Sequence, residues 1–228
     1  MGFNVAGFQN IVISYIFQKI PAIAVLLIAL PLHELAHGYV AYLLGDNTAK
    51  NQHRLTLNPI RHLDPIGALC IIFLNFGWAK PVPVNPYNFK NRKVDMAVTA
   101  IAGPLMNLVL GFLSLLLLGM GLKFWGTESY ATSLVAYFVV LFAQLNIMLC
   151  IFNLIPIPPF DGSRILAIFL PENALASFER FGAVPAIIVV FLLFNYISTP
   201  IYNLTNYIFT SFANFLHITN LLRTYVNF

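Results

Sequence analysis

The sequence predicts an all-α polytopic membrane protein of about five to six transmembrane helices, with a small β-hairpin or re-entrant insertion after the first core helix. Three observations predict it. Of the 228 residues, 59% are apolar or aromatic and 9% are charged, where a soluble domain carries roughly 25% charged residues. The mean hydropathy is +0.81, too high for a 25.5 kDa globule to be covered by its polar surface. Several runs reach the ~20 apolar residues needed to cross a hydrocarbon layer at 1.5 Å per residue. Disorder requires the opposite balance and is excluded. Twelve Lys and Arg against eight Asp and Glu leave a dispersed excess too small to address nucleic acid.

The elements follow in order. Residues 3–19 are apolar but interrupted by Gln9, Asn10, Gln18 and Lys19, and read as an interfacial or loosely packed N-terminal helix. Lys19 is the one base among the first 20 residues and no small-residue cleavage site follows a basic start, so no cleavable signal peptide is expected. Pro21 to Gly45 is the first convincing span, with Pro at its start and Gly-Asp at its end. Residues 66–76 are apolar but too short to cross. Residues 77–89 (GWAKPVPVNPYNF) are proline-rich, which excludes a helix or inner strand and suits an edge strand or hairpin. Val94–Leu122 and Ala131–Ile155 are long spans separated by a short polar turn. Phe181–Ser198 and Ile201–His217 are two further candidates meeting at Thr199-Pro200. Cys70 and Cys150 lie in apolar runs with no CxxC, so neither a disulfide framework nor a thiolate metal site is implied. The chain reads as one membrane-embedded domain over 1–228, its core about 21–165 and its C-terminal helices about 181–217.

Basic residues orient it. Lys50, Arg54, Arg61, Lys80, Lys90, Arg92 and Lys93 all lie between the first and second long helices. The 46–93 side is therefore expected to be cytoplasmic, with 66–76 dipping in and returning.

Inside the first span sits His33-Glu34-Leu35-Ala36-His37. Histidines at i and i+4 project from one helix face and can reach a single metal ion, while Glu34 can lean over a water on that metal as general base. A pair of core histidines with an accidental Glu is the competing account. Location weighs against it, because an ionisable side chain in a lipid-spanning helix is costly and by default functional. Catalytic zinc usually takes three protein ligands. Asp161 is the candidate third, following Asn153-Leu-Ile-Pro-Ile-Pro-Pro-Phe160 and preceding Gly162. It could equally be an N-cap for a short following helix. His33 and His37 lie about 18 and 12 Å of helix from Gly45, which puts the metal inside the hydrocarbon layer nearer the cytoplasmic face. Of the other histidines, His62 and His53 read as solvated loop residues and His217 as interfacial.

HELAH in a membrane helix joined to a distant NLIPIPPFDG resembles the site-2 protease family of intramembrane zinc metallopeptidases. The likeness extends to Ala102-Gly103-Pro104-Leu105-Met106-Asn107, to TLNPIRHLDPIG and to FGWAKPVPVNPYNF, covering residues 31 to about 165. Its compact bacterial members are the nearest in form, since no PDZ or nucleotide-sensing module fits in the loops. The resemblance implies one zinc per chain on His33, His37 and Asp161, with Glu34 activating water. Asn153 and Asn107 would contact substrate, although a helix–helix hydrogen bond and close packing through Gly103 account for them as well. Trp78–Phe89 would hold an unwound substrate stretch by strand addition. The expected activity is endoproteolysis of transmembrane proteins at the cytoplasmic side of the cell membrane, with substrate and bilayer as partners. The alternative is a non-catalytic membrane metal protein, a transporter or sensor using the same three ligands.

Overall fold

The computed structural model describes residues 19–74, 77–125, 129–171 and 183–223. Helix α1 (Lys19–Leu43) opens the described chain. Pro31 has no N–H to donate, so the ladder cannot run unbroken through it. The preceding turn, Val25–Ala29, widens to π geometry, with the Leu30 N–H donating to the Val25 carbonyl. At the other end Gly45 adopts φ +108. Its N–H donates to the Tyr42 carbonyl at 3.1 Å and that of Asp46 to Ala41 at 2.9 Å. That paired closure needs a left-handed residue, which glycine supplies without strain.

Beyond it the chain makes α2 (Thr48–Asn51), a turn at Pro59–Arg61 and α3 (Pro65–Leu74). Ten residues of α3 rise about 15 Å, half a hydrocarbon layer. The expected β-hairpin over 77–89 is not found. Among the described residues there is no strand, and one antiparallel bridge joins Leu63 to Ala79, with the Lys80 N–H donating to the His62 carbonyl at 2.8 Å. The reason lies in the donors. Pro81, Pro83 and Pro86 have none, the Val82 N–H is given to Glu34 and that of Asn85 to Asp46.

Asp46 ties this segment to the end of α1. Its carboxylate accepts from the Thr48 N–H at 3.0 Å and hydroxyl, the Asn85 N–H at 2.7 Å and the Asn88 amide at 2.7 Å. Burial pushes this carboxyl up, but those bonds outweigh it and hold it below its ordinary value. His62, expected to be solvated, is fully buried, with Nε2 2.8 Å from the Thr56 carbonyl. The other ring nitrogen, Nδ1, is buried without a hydrogen-bond partner.

Helices α4 (Arg92–Trp125) and α5 (Tyr130–Asn153) follow, then α6 (Gly162–Leu166), α7 (Ala183–Phe215) and α8 (Thr219–Leu222). The two C-terminal segments meeting at Thr199-Pro200, where a tight turn or a kink is expected, are one helix from residue 183 onward with Pro200 inside it, so the turn is not formed. Proline removes a single ladder donor, and in an apolar setting an unbroken helix is the cheaper solution for the remaining backbone groups. The core joins Leu115, Leu118 and Leu122 of α4 to Val140, Ala143 and Ile147 of α5 and to Phe209 and Ala213 of α7, closed by Ile218 and Leu222.

Among the described residues, three helices are long and apolar enough to cross a membrane: α1, α4 and α5. On α4, Val94, Val98, Ile101, Leu105, Val109, Leu113 and Leu117 lie exposed at helical spacing. An apolar stripe running the length of a helix calls for lipid rather than water. The protein is thus mostly helical, without a sheet among the described residues.

Candidate metal centre

The i, i+4 spacing on α1 sets His33 and His37 side by side, their ring centroids 4.6 Å apart. Asp161 comes from the turn that follows α5. There Pro156, Pro158 and Pro159 end the helix, and Gly162 lets the chain fold back. A Cβ on Gly162 would lie 2.2 Å from the Leu154 carbonyl oxygen. Asp161 stands at the N-cap position of α6 yet makes no side-chain capping bond; its carboxylate turns to the histidines instead.

The three candidate ligand atoms form a nearly equilateral triangle. His33 Nε2 and His37 Nε2 are 3.0 Å apart, His37 Nε2 and Asp161 Oδ2 3.2 Å, and His33 Nε2 and Asp161 Oδ2 3.3 Å. Bonds of about 2.0–2.1 Å in tetrahedral geometry imply ligand–ligand separations of about 3.3 Å. The side chains present therefore fit a single zinc-sized ion with a fourth position left over. All three are buried, and among the described residues this is the cluster of His, Cys, Asp and Glu able to hold a metal. His37 Nδ1 lies 2.7 Å from the Thr99 carbonyl; donating there keeps the proton off Nε2, the nitrogen that faces Asp161. Gly103 of α4 forms the floor. A Cβ at that position would come within 2.2 Å of His37 Nε2 and 2.6 Å of His33 Cε1.

Glu34 is half-buried beside the triangle, its Oε2 accepting the Val82 N–H at 2.8 Å. Val82 packs close above Gly38 one turn along α1, so the proline-rich segment covers the Glu34 side of the centre. With the N–H groups of Lys80, Val82, Asn85, Tyr87, Asn88 and Phe89 already spent, it offers fewer donors for strand addition than the sequence suggests.

The amides behave differently from one another. Asn153 donates to the Leu149 carbonyl at 3.0 Å within its own helix and stays half-buried. Asn107 is fully buried, and neither its Nδ2 nor its Oδ1 has a hydrogen-bond partner. Sequence reasoning missed the Thr99 carbonyl and the Val82 N–H, both backbone groups that carry no residue-type signal.

Comparison with known proteins bears on this site. The model described as "Peptidase family M50" matches residues 122–196. Over 186 residues the chain is 42% identical to "Putative zinc metalloprotease YwhC" of Bacillus subtilis (strain 168), covering 78% of this chain and 84% of that protein. It is 32% identical over 190 residues to "Putative zinc metalloprotease Rip2" of Mycolicibacterium smegmatis, covering 79% and 70%. The Rip2 protein of Mycobacterium tuberculosis (strain H37Rv) is 30% identical over 187 residues, covering 79% and 70%. No solved structure matches the chain.

Proposed function

The chain belongs to peptidase family M50, and from that premise we propose that it is a zinc metalloendopeptidase cutting transmembrane protein substrates within the bilayer. The triangle of His33 Nε2, His37 Nε2 and Asp161 Oδ2, with Glu34 next in sequence to the first ligand, is the observation that supports this reading most directly. Zinc bound by these three atoms would supply a Lewis acid and lower the pKa of water beside it.

The protein's own groups do the rest. Glu34 has one carboxylate oxygen committed to the Val82 N–H, so the other, Oε1, takes the proton from the attacking water and returns it to the departing amide nitrogen. The Val82 bond fixes the carboxylate plane while this happens. Thr99 holds His37 in one tautomer. Asn153, half-buried at the end of α5, is offered as the amide that meets the substrate carbonyl once its bond to Leu149 is exchanged. The exposed α4 stripe lets lipid surround the centre. Within this reading residues 1–228 form one membrane-embedded unit with its core at about 21–165. It crosses five or six times and holds the centre toward the cytoplasmic face, the side of the basic 46–93 loops.

The test is cleavage of a transmembrane-helix substrate in reconstituted vesicles. Glu34→Gln is expected to retain zinc and lose cleavage, and Asp161→Ala to lose zinc. Undiminished proteolysis by the Glu34 variant would contradict the mechanism, and metal flux without cleavage by the parent protein would favour a transporter.

A further inference from the structure

Both candidate histidine ligands turn Nε2 toward Asp161, so each carries its proton on Nδ1, and that N–H needs an acceptor to keep the ring from turning. For His37 the acceptor is the Thr99 carbonyl, 2.7 Å away. For His33 none is found: Nδ1 is buried with no hydrogen-bond partner. A second orphan sits on α4, one helical turn beyond Gly103. Asn107 is fully buried, and both polar atoms of its amide are unpartnered. Leaving such groups unpaired in a protein interior is costly, and the Thr99 hydroxyl, also buried and unpartnered, belongs to the residue whose carbonyl already serves His37.

Helix geometry brings them together. Asn107 follows Gly103 by one turn on the same face of α4. Gly103 is the residue on which His33 rests, its Cβ position 2.6 Å from the ring's Cε1, the atom bonded to Nδ1. Helical side chains lean toward their own N-terminus, so the Asn107 amide reaches back over the turn at Gly103. The two helices are antiparallel here, since Thr99 meets His37 while Gly103, one turn on, reaches both rings. The His33 ring, leaning along α1, therefore approaches the amide from the other side. No direct bond forms between them, and one buried water joining two otherwise unsatisfied polar groups is the usual solution.

We propose that Asn107 is the positioning residue of His33: its side-chain oxygen receives the His33 Nδ1–H through one buried water, as the Thr99 carbonyl receives that of His37 directly. Each histidine is then anchored to α4, one through the backbone and one through a side chain. Complete burial behind the rings makes Asn107 a support for the ligands rather than a substrate contact. The inference rests on the metal-site reading above.

The test uses the full-length protein in detergent, with zinc affinity measured by competition against a chromophoric chelator. Asn107→Leu keeps the branched shape with added bulk and removes the acceptor, which leaves the His33 Nδ1–H without a partner. Its zinc affinity is expected to fall about 10- to 100-fold, the usual loss when a ligand's supporting partner is removed, while the metal-free protein keeps a cooperative melt. Asn107→Asp keeps an acceptor at the same place and is expected to remain within about threefold of the parent. Nitrogen-15 spectra of the metal-free proteins should show the His33 Nδ1–H tautomer in the parent and Asp proteins and a tautomer mixture in the Leu protein. Should the Leu variant fail to fold, Asn107→Ala replaces it with the same expected loss. Parent-like affinity in the apolar variant, or an Asp variant as weak as the apolar one, overturns the proposal. A parent protein that binds no zinc overturns the metal-site reading itself, which separates the two failures.

Discussion

Glu34 and Val82 are joined across 48 residues by a 2.8 Å hydrogen bond from the Val82 N–H to Glu34 Oε2. Val82 stands between Pro81 and Pro83, so it holds the single N–H of that triplet, and that N–H is spent on the carboxylate that lies between the two histidines in sequence. Val82→Pro removes the donor from a backbone already built of prolines. A hydrogen bond to a charged group contributes about 1.5–3 kcal/mol, so kcat for a membrane-helix substrate should fall roughly ten- to hundredfold with zinc content unchanged. Val82→Ala keeps the N–H and trims only the packing on Gly38, and it should keep most of the activity. Equal losses in the two variants would assign the effect to packing.

Gly103 makes a second prediction, about space rather than hydrogen bonding. A methyl group there would lie 2.2 Å from His37 Nε2 and 2.5 Å from its Cε1, well inside van der Waals contact. The rings would have to leave the triangle, so Gly103→Ala should lose zinc by metal analysis. Gly111 lies about two turns further along α4, where it packs on α5 instead of α1, and is the control. Its Cβ would meet Ile147 Cγ1 at 3.0 Å and the Ala143 carbonyl oxygen at 3.2 Å, a squeeze that a flexible side chain can relieve in part. Gly111→Ala should cost about 1–3 kcal/mol of stability by overpacking while zinc remains bound.

How much of this was legible in the sequence depends on which atoms do the work. His33, Glu34 and His37 announce themselves because helix period converts their spacing directly into a shared face. Asp161 stood out because acids are scarce in this chain and a proline-rich turn precedes it. The partners that hold those side chains were invisible for a physical reason: the Thr99 carbonyl and Val82 N–H belong to the backbone, which is the same at every residue. Gly103 was read as a packing glycine, and what it packs against depends on how α1 and α4 align. The hairpin expected at 77–89 failed because side-chain acceptors from α1 and its end claimed the donors that a second strand needed. Pro200 looked like a boundary because sequence rules weigh the lost hydrogen bond and not the apolar surroundings that favour keeping the rest.

The triangle also makes a prediction about stability. Its ligands lie 124 residues apart, on α1 and on the turn after α5, so an ion held there ties together segments that the unfolded chain leaves separate. Binding to the folded state alone stabilises by RT ln(1 + [L]/Kd), about 4 kcal/mol when free zinc is a thousand times Kd. The thermal midpoint in detergent should therefore rise with free zinc and fall on chelation. Asp161→Ala should flatten that dependence, and Glu34→Gln, which keeps the three ligand atoms, should not. A midpoint indifferent to zinc in the parent protein would count against the site.

Asp46 provides a pH-dependent test away from the metal. Its carboxyl titrates below the ordinary value of 3.8, because the hydrogen bonds from Thr48, Asn85 and Asn88 outweigh the opposing effect of burial. A folded pKa below the unfolded one means that the unfolded state binds protons more readily. The stabilisation is therefore fully present above the unfolded value and is lost as pH falls through about 4 toward the lower, folded one. Between pH 7 and 5 the midpoint should be flat with respect to this group, and below that it should drop. Asp46→Asn keeps the shape but sets an amide donor against the donors of Asn85 or Thr48. That variant should melt lower than the parent at pH 7 and lose the part of the acid slope that belongs to this residue. Hydrogen exchange localises the effect, because the Asn85 and Thr48 amides that Asp46 accepts should open first as the carboxylate is protonated. An acid slope identical in the two proteins would show that the latch between α1 and the proline-rich segment does not depend on the charge of Asp46.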